Sequence, residues 1–392
     1  MHLTHIYVLA SNAGIPPYFP PSKALACLDA VPLDKAKSSA FIDYLNPFLQ
    51  FQSSLAYLKN PPIGYTLPGV DIIGGLDQIK SNIQSGTYKS QWAFEKDVYA
   101  LINLMPKDFH LTMGKSMPLS NVFEFITSVH LVSVSADGLA VPQVFFKSRQ
   151  NLFPALAIIT NNLIADLDAM NDANLAGVTL DWTASPLISI DNTPASDFLQ
   201  VVSLYSNYQD PDALYNQLFY SPAQAKQGSG DGYCLYLHPF GLEDSSSYIF
   251  ANDTSKPKAF SNFAYLRGNF SDINSGSDLF TASVLPPTIT ATPTTAAAIK
   301  ARALASVDPY PTNPVAVHPQ GYIAGYFLDG YDDTCVLAMS AFEGSNNTDT
   351  QDSANIQLTI QNTLSSCTAA GKTKLIVDLS ANGGGIIFNG YV

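Results

Sequence analysis

The period of the apolar residues changes twice along this chain, and each change demands a different kind of packing. Up to Pro106 the apolar side chains recur every three or four residues, the spacing of one helix face. Leu25, Leu28 and Val31, then Phe41, Leu45, Phe48 and Leu49, carry it from Pro21 to Leu58, with Ser22 as the candidate N-cap. The segment KNPPIGYTLPGVDIIGG, with three prolines and four glycines, interrupts the pattern as a loop. Helix resumes from Asp71 to Ser85, with Gly86 as its stop. It returns through WAFEKDVYALINLM, which sets Phe94, Val98, Ile102 and Met105 on one side before Pro106. Such a layer reads as a packing or dimerisation surface.

After Pro106 the pattern shortens to that of strands. LTM, VHLVSVS and VPQVFF show alternation or short branched runs, with Asp137-Gly138 as a turn pair. AIITNNLIADL reads either as a helix or as a strand and turn. LISI then leads through Asp191-Asn192 into TPASDFLQVVSLY, a helix opening. Strand, turn and helix around a groove is how small peptide-binding β-domains are built. TASVLPPTITATPTTAAAIK, low in charge and rich in Pro, Thr and Ala, marks an interdomain boundary. Beyond it GYIAGYFL and CVLAMSAF are nearly continuous apolar runs, which suit strands covered on both faces. A helix from Asp352 to Cys367, with Ile356, Ile360 and Leu364 at four-residue spacing and Gly371 as its C-cap, joins them to KLIVDLSANGGG. That is a βαβ unit of an α/β domain.

Only 13% of the 392 residues are charged, and 19 Lys+Arg against 32 Asp+Glu leave a net charge of −13. With no basic patch, such a surface repels phosphate backbones and acidic lipid, so neither nucleic acid nor membrane is an expected partner. No run approaches the ~18 apolar residues of a spanning helix. Cys27, Cys234, Cys335 and Cys367 are too scattered for a metal knuckle, and form either one or two disulfides or four free buried thiols. Asn252-Asp253-Thr254, Asn269-Phe270-Ser271 and Asn346-Asn347-Thr348 are N-glycosylation triplets. The start, MHLTHIYVLASNAG, makes a poor signal peptide. The expected location is therefore extracellular or secretory, with the true start upstream, and cytoplasmic otherwise.

Two places could carry chemistry. Gly383, Gly384 and Gly385 follow a strand, where glycines let backbone approach a ligand and offer free N–H groups, so they form either an anion-stabilising nest or a plain tight turn. They match neither a dinucleotide fingerprint nor a phosphate-binding P-loop, and no cofactor is expected. None of the six histidines has metal-ligand spacing, and no metal is expected. His130 and His238 suit structural roles. His110, in PKDFHLTM just past a terminated helix and two residues after Asp108, is either a catalytic group facing a cleft or an ordinary hydrogen-bonded histidine. No paired carboxylates support a glycoside hydrolase.

KLIVDLSANGGG resembles the LIVDL-x-x-NGGG signature of the tail-specific (C-terminal processing) serine proteases. ALACLDAVPL, FLQFQSSLAYLKNPPIGYTLPGVDIIGGLDQI, FEKDVYALI and LVSVSADGLAVPQVFF resemble the fungal branch related to the chlamydial protease-like activity factor. SPLISIDNTPASDFL with QDPDALYNQLF resembles that branch's PDZ-like domain, and GYIAGYFL and CVLAMSAFEG its first core strands. The likeness runs from about Lys23 to Val392. It implies a multidomain α+β chain: an N-terminal helical region over 17–125, a PDZ-like β-domain over 126–250, a connector and linker over 251–300, and an incomplete α/β serine protease core of ββα type over 301–392.

The resemblance further implies a serine endopeptidase acting through an acyl-enzyme on protein or peptide, with a His base and an activated Ser. The branch's His-Asp-Gly-His-Phe stands where this chain has Pro106-Lys107-Asp108-Phe109-His110, so His110 matches the base with about a residue of slippage and Asp108 matches the Asp. Asp108 then acts as an orienter, and the amides of Gly383, Gly384 and Gly385 lie near the oxyanion site. The His110 ring is expected to face the same cleft as the end of the Leu375–Leu379 strand. The family's Ser elbow and later Glu follow NGGG by tens of residues, whereas this chain stops seven residues past Gly385. Either it is a fragment of a peptidase, inactive by itself, or a degenerate, peptide-binding relative. A homodimer is compatible with both.

Overall fold

A computed structural model describes residues 18–113, 117–127, 129–146, 185–221, 234, 237–267, 270, 272–285, 310–311, 313–343, 351–380 and 382–391. AIITNNLIADL, the linker 286–295 and the triplets at Asn269 and Asn346 lie outside them. The chain divides into two compact units. The first takes in Met1–Phe219 and Tyr233–Ala298, the second Tyr220–Gly232 and Ile299–Val392.

The first unit opens with strand β1 (Tyr18–Phe19) and helices α1 (Pro21–Asp29), α2 (Lys35–Leu49), α3 (Leu55–Lys59), α4 (Ile72–Ser85) and α5 (Gln91–Tyr99). α4 has the boundaries its sequence advertises. The Asp71 carboxylate accepts the Gly74 N–H, Gly86 stops the helix at φ 77°, and Ile72, Leu76, Ile79 and Ile83 are buried. Ser22 does not cap α1. With Pro20 at the cap and Pro21 in the first turn, the Ser22 amide and hydroxyl both bind the Asp244 carboxylate. Met105 also departs from the expected face and is 50% exposed. After Tyr99 the helix widens into a π-turn, Ala100–Leu104, whose extra residue rotates Met105 away from buried Phe94, Val98 and Ile102.

Glu95 on α5 is 1% exposed. It accepts from the Gln91 amide at 3.0 Å and the Leu119 N–H at 2.9 Å. Burial pushes its carboxyl up from 4.5 to about 7. The folded state therefore holds this proton more tightly than the unfolded chain. The stability it supports is complete below pH 4.5 and falls as pH rises to about 7, by about 3 kcal/mol in all. Glu95→Gln should abolish that dependence, because Gln91 can reverse its amide to accept from the new one. The expected result is a variant that unfolds at higher denaturant than the parent at pH 8 and converges with it near pH 4. Parallel pH profiles would contradict it.

The strands β2 (Phe123–Ile126), β3 (Leu131–Val134), β4 (Gln143–Phe146), β5 (Leu187–Ile190), β6 (Thr193–Pro194), β7 (Ser245–Phe250), β8 (Asp253–Ser261) and β9 (Phe263–Leu266) follow. β3 and β4 pair antiparallel across the Asp137-Gly138 turn, and a second sheet runs β6-β5-β7-β8. Asp191 and Asn192 join β5 to β6 with φ of 48° and 62°, the left-handed pair of a tight hairpin. Helices α6 (Ala195–Ser203) and α7 (Pro211–Asn216) accompany this sheet. Leu199 and Val202 of α6 share a core with Leu187, Ile190, Tyr248, Phe250 and Phe260. The stretch 251–285, expected as connector, instead supplies β8, β9 and the turn α8 (Gly276–Leu279). β9 lies between β1 and β2, so the chain returns to its helical region. LTM at 111–113 forms no strand.

In the second unit β10 (Ala316–Val317), β11 (Ile323–Phe327), β12 (Thr334–Met339) and β13 (Lys374–Asp378) form one sheet in that order, with β12 and β13 parallel. β11 and β12 are buried almost throughout, as their unbroken apolar runs require. The crossover is α9 (Asp352–Ala369), closed by a paired cap in which Gly371 donates to Thr368 and Lys372 to Cys367. Its buried face is not the Ile356, Ile360, Leu364 stripe. Ile356 is buried, but its companions are Thr359, Thr363 and Cys367, while Leu364 is 42% exposed. Both threonine hydroxyls donate to carbonyls one turn back, so no polar group is stranded. Thr363 sits where a Cβ on Gly325 would come within 2.4 Å of its hydroxyl. Cys335 and Cys367 form a disulfide between β12 and α9, while Cys27 and Cys234 are free.

Candidate functional site

The His110 loop begins where Pro106 stops the π-turn. Lys107 then takes φ 50°, a left-handed backbone uncommon for a long side chain and a local cost of order 1 kcal/mol. Asp108 closes the loop on itself, its Oδ1 accepting the N–H groups of His110 at 3.0 Å and Leu111 at 3.3 Å. Its Oδ2 accepts from Gln52 at 3.0 Å and the Ser54 hydroxyl at 3.2 Å. The carboxylate thus anchors the loop to the turn between α2 and α3. His110 is exposed, its ring edge-on to Phe109 at 5.8 Å. Among the described residues no hydrogen bond reaches the ring nitrogens of His110. On its other flank the loop meets the chain after α6. The Lys107 ammonium donates to the carbonyls of Leu204 and, at 2.7 Å, Ser206, and Phe109 stacks on Tyr208 at 5.3 Å. Burial lowers the ammonium to about 8, so it keeps its charge at neutral pH.

Neither Lys107 nor its two acceptors could be picked out from the sequence. The contacts join residues nearly a hundred positions apart, and nothing local marks a left-handed lysine. Gln52 and Ser54 were equally silent.

The glycines lie in the second unit, after β13. Asn382 fastens this segment to the end of β12, donating to the Met339 carbonyl at 2.8 Å and accepting the Gly384 N–H at 2.7 Å. Phe342 donates to the Gly384 carbonyl and accepts from Ile386, which brings Gly385 alongside Phe342. Gly385 has φ 137°, and a Cβ there would stand 2.6 Å from the Phe342 carbonyl carbon, so no other residue fits. The Gly384 amide is therefore committed internally. The amides of Gly383 and Gly385, both exposed, have no acceptor among the described residues and are the two left for a ligand.

Three other histidines are buried. His238 bonds the Cys234 carbonyl at 3.0 Å, and burial takes its ring down to about 4, which leaves it neutral. His130 is 3% exposed. His318 accepts the Gln320 N–H on Nδ1, so Nε2 carries the proton and faces Asp352, which also accepts from the Tyr322 hydroxyl at 2.7 Å. Asn389 donates to Asp352 Oδ2 at 3.5 Å and to the Phe342 carbonyl at 2.8 Å, so this network ties the start of α9 to the last turn.

The sheet β6-β5-β7-β8 with its helix α6 falls within a segment that a known domain family matches. Residues 124–271 match the CPAF-like PDZ domain. The chain thus consists of an N-terminal helical region, a central PDZ-like domain and a C-terminal α/β region. It is 30% identical over 348 residues to two proteins of Diaporthe leptostromiformis, the peptidase S41 family proteins phomP1′ and phomP1. The alignment covers 84% of this chain and 47% of each relative, so the chain spans about half the length of the curated relatives it matches. A solved structure, mature CPAF complexed with lactacystin, aligns with 91% of this chain and 58% of its own at 13% identity and a TM-score of 0.48. Together these comparisons show a PDZ-like domain and a distant, partial similarity to fungal S41 family proteins. Among the described residues no helix is long and apolar enough to cross a membrane.

Proposed function

We propose that the chain contributes the substrate-capturing and base-bearing parts of a serine endopeptidase that cuts peptide bonds through an acyl-enzyme. The observation that carries this is the exposed His110, held on a doubly anchored loop in a chain with a PDZ-like domain and S41 relatives. A general base must reach the proton it takes while its backbone stays put. An exposed ring on a fastened loop meets both demands. The PDZ-like domain recruits peptide termini or extended segments. The Gly383 and Gly385 amides serve as oxyanion donors, a contact worth roughly 3–4 kcal/mol each in hydrolases. On this reading the Ser nucleophile and its Glu partner belong to the part of the relatives' length that the alignment does not span. The Cys335–Cys367 bond supports folding in an oxidising compartment, and Asn252, the acceptor of one triplet, sits in the exposed turn between β7 and β8.

A second reading, a peptide-binding scaffold without catalysis, is favoured by one specific fact. Asp108 spends its carboxylate on Gln52, Ser54 and two loop amides, and so does not orient the His110 ring.

A fluorophosphonate probe tests the proposal. The 392-residue chain should remain unlabelled, and a form extended by the coding sequence downstream of Val392 should label on one serine. Labelling of the short chain would overturn the assignment of the nucleophile. An extended form that captures peptide yet never labels would establish the scaffold instead.

A further inference from the structure

The proposed chemistry leaves a buried ammonium unused. Lys107 is 7% exposed, although Phe109 and His110, two and three residues further on, are exposed. Among the described residues its ammonium does not meet a carboxylate. It meets the carbonyls of Leu204 and Ser206, immediately past the end of α6. Carbonyls at a helix's last turn lack intrahelical donors and carry the negative end of its dipole, so a cation there is well matched. The same segment is gripped a second time by the stack of Phe109 on Tyr208, and Tyr205 packs edge-on against Phe240 at 5.9 Å, which in turn meets Tyr99 of α5. Lys107 also holds a left-handed φ of 50°, a backbone state that persists only where the surroundings over-determine it.

We infer that Lys107 is a positioning residue for the candidate base: by bonding the carbonyls of Leu204 and Ser206 it pins the His110 loop to the end of α6 and sets where the ring is presented. This rests on the reading of His110 as the base. Asp108 holds the loop from the helical side and Lys107 from the PDZ-like side, so loss of either leaves the loop pivoting on the other. Misplacement of a base by about an ångström is enough to cost about a hundredfold in rate.

The test has two arms. In the 392-residue chain, hydrogen exchange of the His110 and Leu111 amides is followed in Lys107→Met, with the α4 amides as a control for the fold. The expected result is exchange about tenfold faster in the loop, unchanged in α4, and restored by Lys107→Arg, which keeps charge and donors. Should Lys107→Met fail to fold, Lys107→Gln, which removes the charge and is too short to reach both carbonyls, is read the same way. Unchanged loop exchange in the folded variant overturns the inference. In the extended, probe-reactive protein, Lys107→Met should lower kcat at least tenfold with KM held and Lys107→Arg should recover it. A change confined to KM overturns positioning in favour of substrate binding. If the extended parent is inert to the probe, the protease reading and with it the positioning of a base fall, while the exchange arm still decides whether Lys107 anchors the loop.

Discussion

Replacing Cys335 and Cys367 together by alanine should lower the stability of the second unit by roughly 3–4 kcal/mol, the entropy of a closed loop of this length. The two residues are 32 apart, and their Cα atoms stand 5.9 Å from one another. The bond spans from β12, at the centre of the sheet, to the last turn of α9. It thus closes the strand–helix half of the crossover, including 344–350. Cys335 is fully buried, so alanine is the right replacement, since a serine hydroxyl would need a partner there. Exchange of the β11 and β12 amides should accelerate by two to three powers of ten in the double variant, and to a similar degree on reduction of the parent. Amides of α4, in the first unit, should not respond. Equal exchange with and without reductant would mean the bond is not closed in solution.

His110→Ala should lower kcat of the extended protein by 10²–10⁴-fold, the usual contribution of a general base, while peptide capture by the PDZ-like domain and KM stay as they were. The stability cost should be small, within ~0.5 kcal/mol, because the ring is exposed and its aromatic neighbour, Phe109, meets it edge-on. That separation of activity from folding makes the variant decisive. A fall confined to KM would mark His110 as a substrate contact. Asp108→Ala should behave differently, since the carboxylate accepts four hydrogen bonds within the loop and to Gln52 and Ser54. It should lose stability along with rate.

Local chemistry announced much of this protein. Asp71 and Gly86 bound α4, Gly371 ends α9, Asp137-Gly138 and Asp191-Asn192 turn their hairpins, and the unbroken apolar runs of β11 and β12 mark strands covered on both faces. In each case the signal sits within a few residues of the structure it specifies, in a cap, a left-handed turn or a side-chain period. His110 and the three glycines could be singled out for the same reason, as titratable or donor-rich groups at the end of a recognisable element. What the sequence could not hold was anything settled by groups brought together from afar. The two-residue strand β1 exists because β9 lies beside it, Ser22 leaves its cap because Asp244 outbids the helix, and the buried stripe of α9 follows Gly325 and Cys335 rather than its own leucines. One inserted residue in the π-turn was enough to turn Met105 outward. The role of Asp108 as a clasp and the anchorage of Lys107 belong to the same class. A hydrogen bond depends on an ångström-scale meeting of two groups, and for partners 54 to 99 residues apart only the folded chain decides that distance.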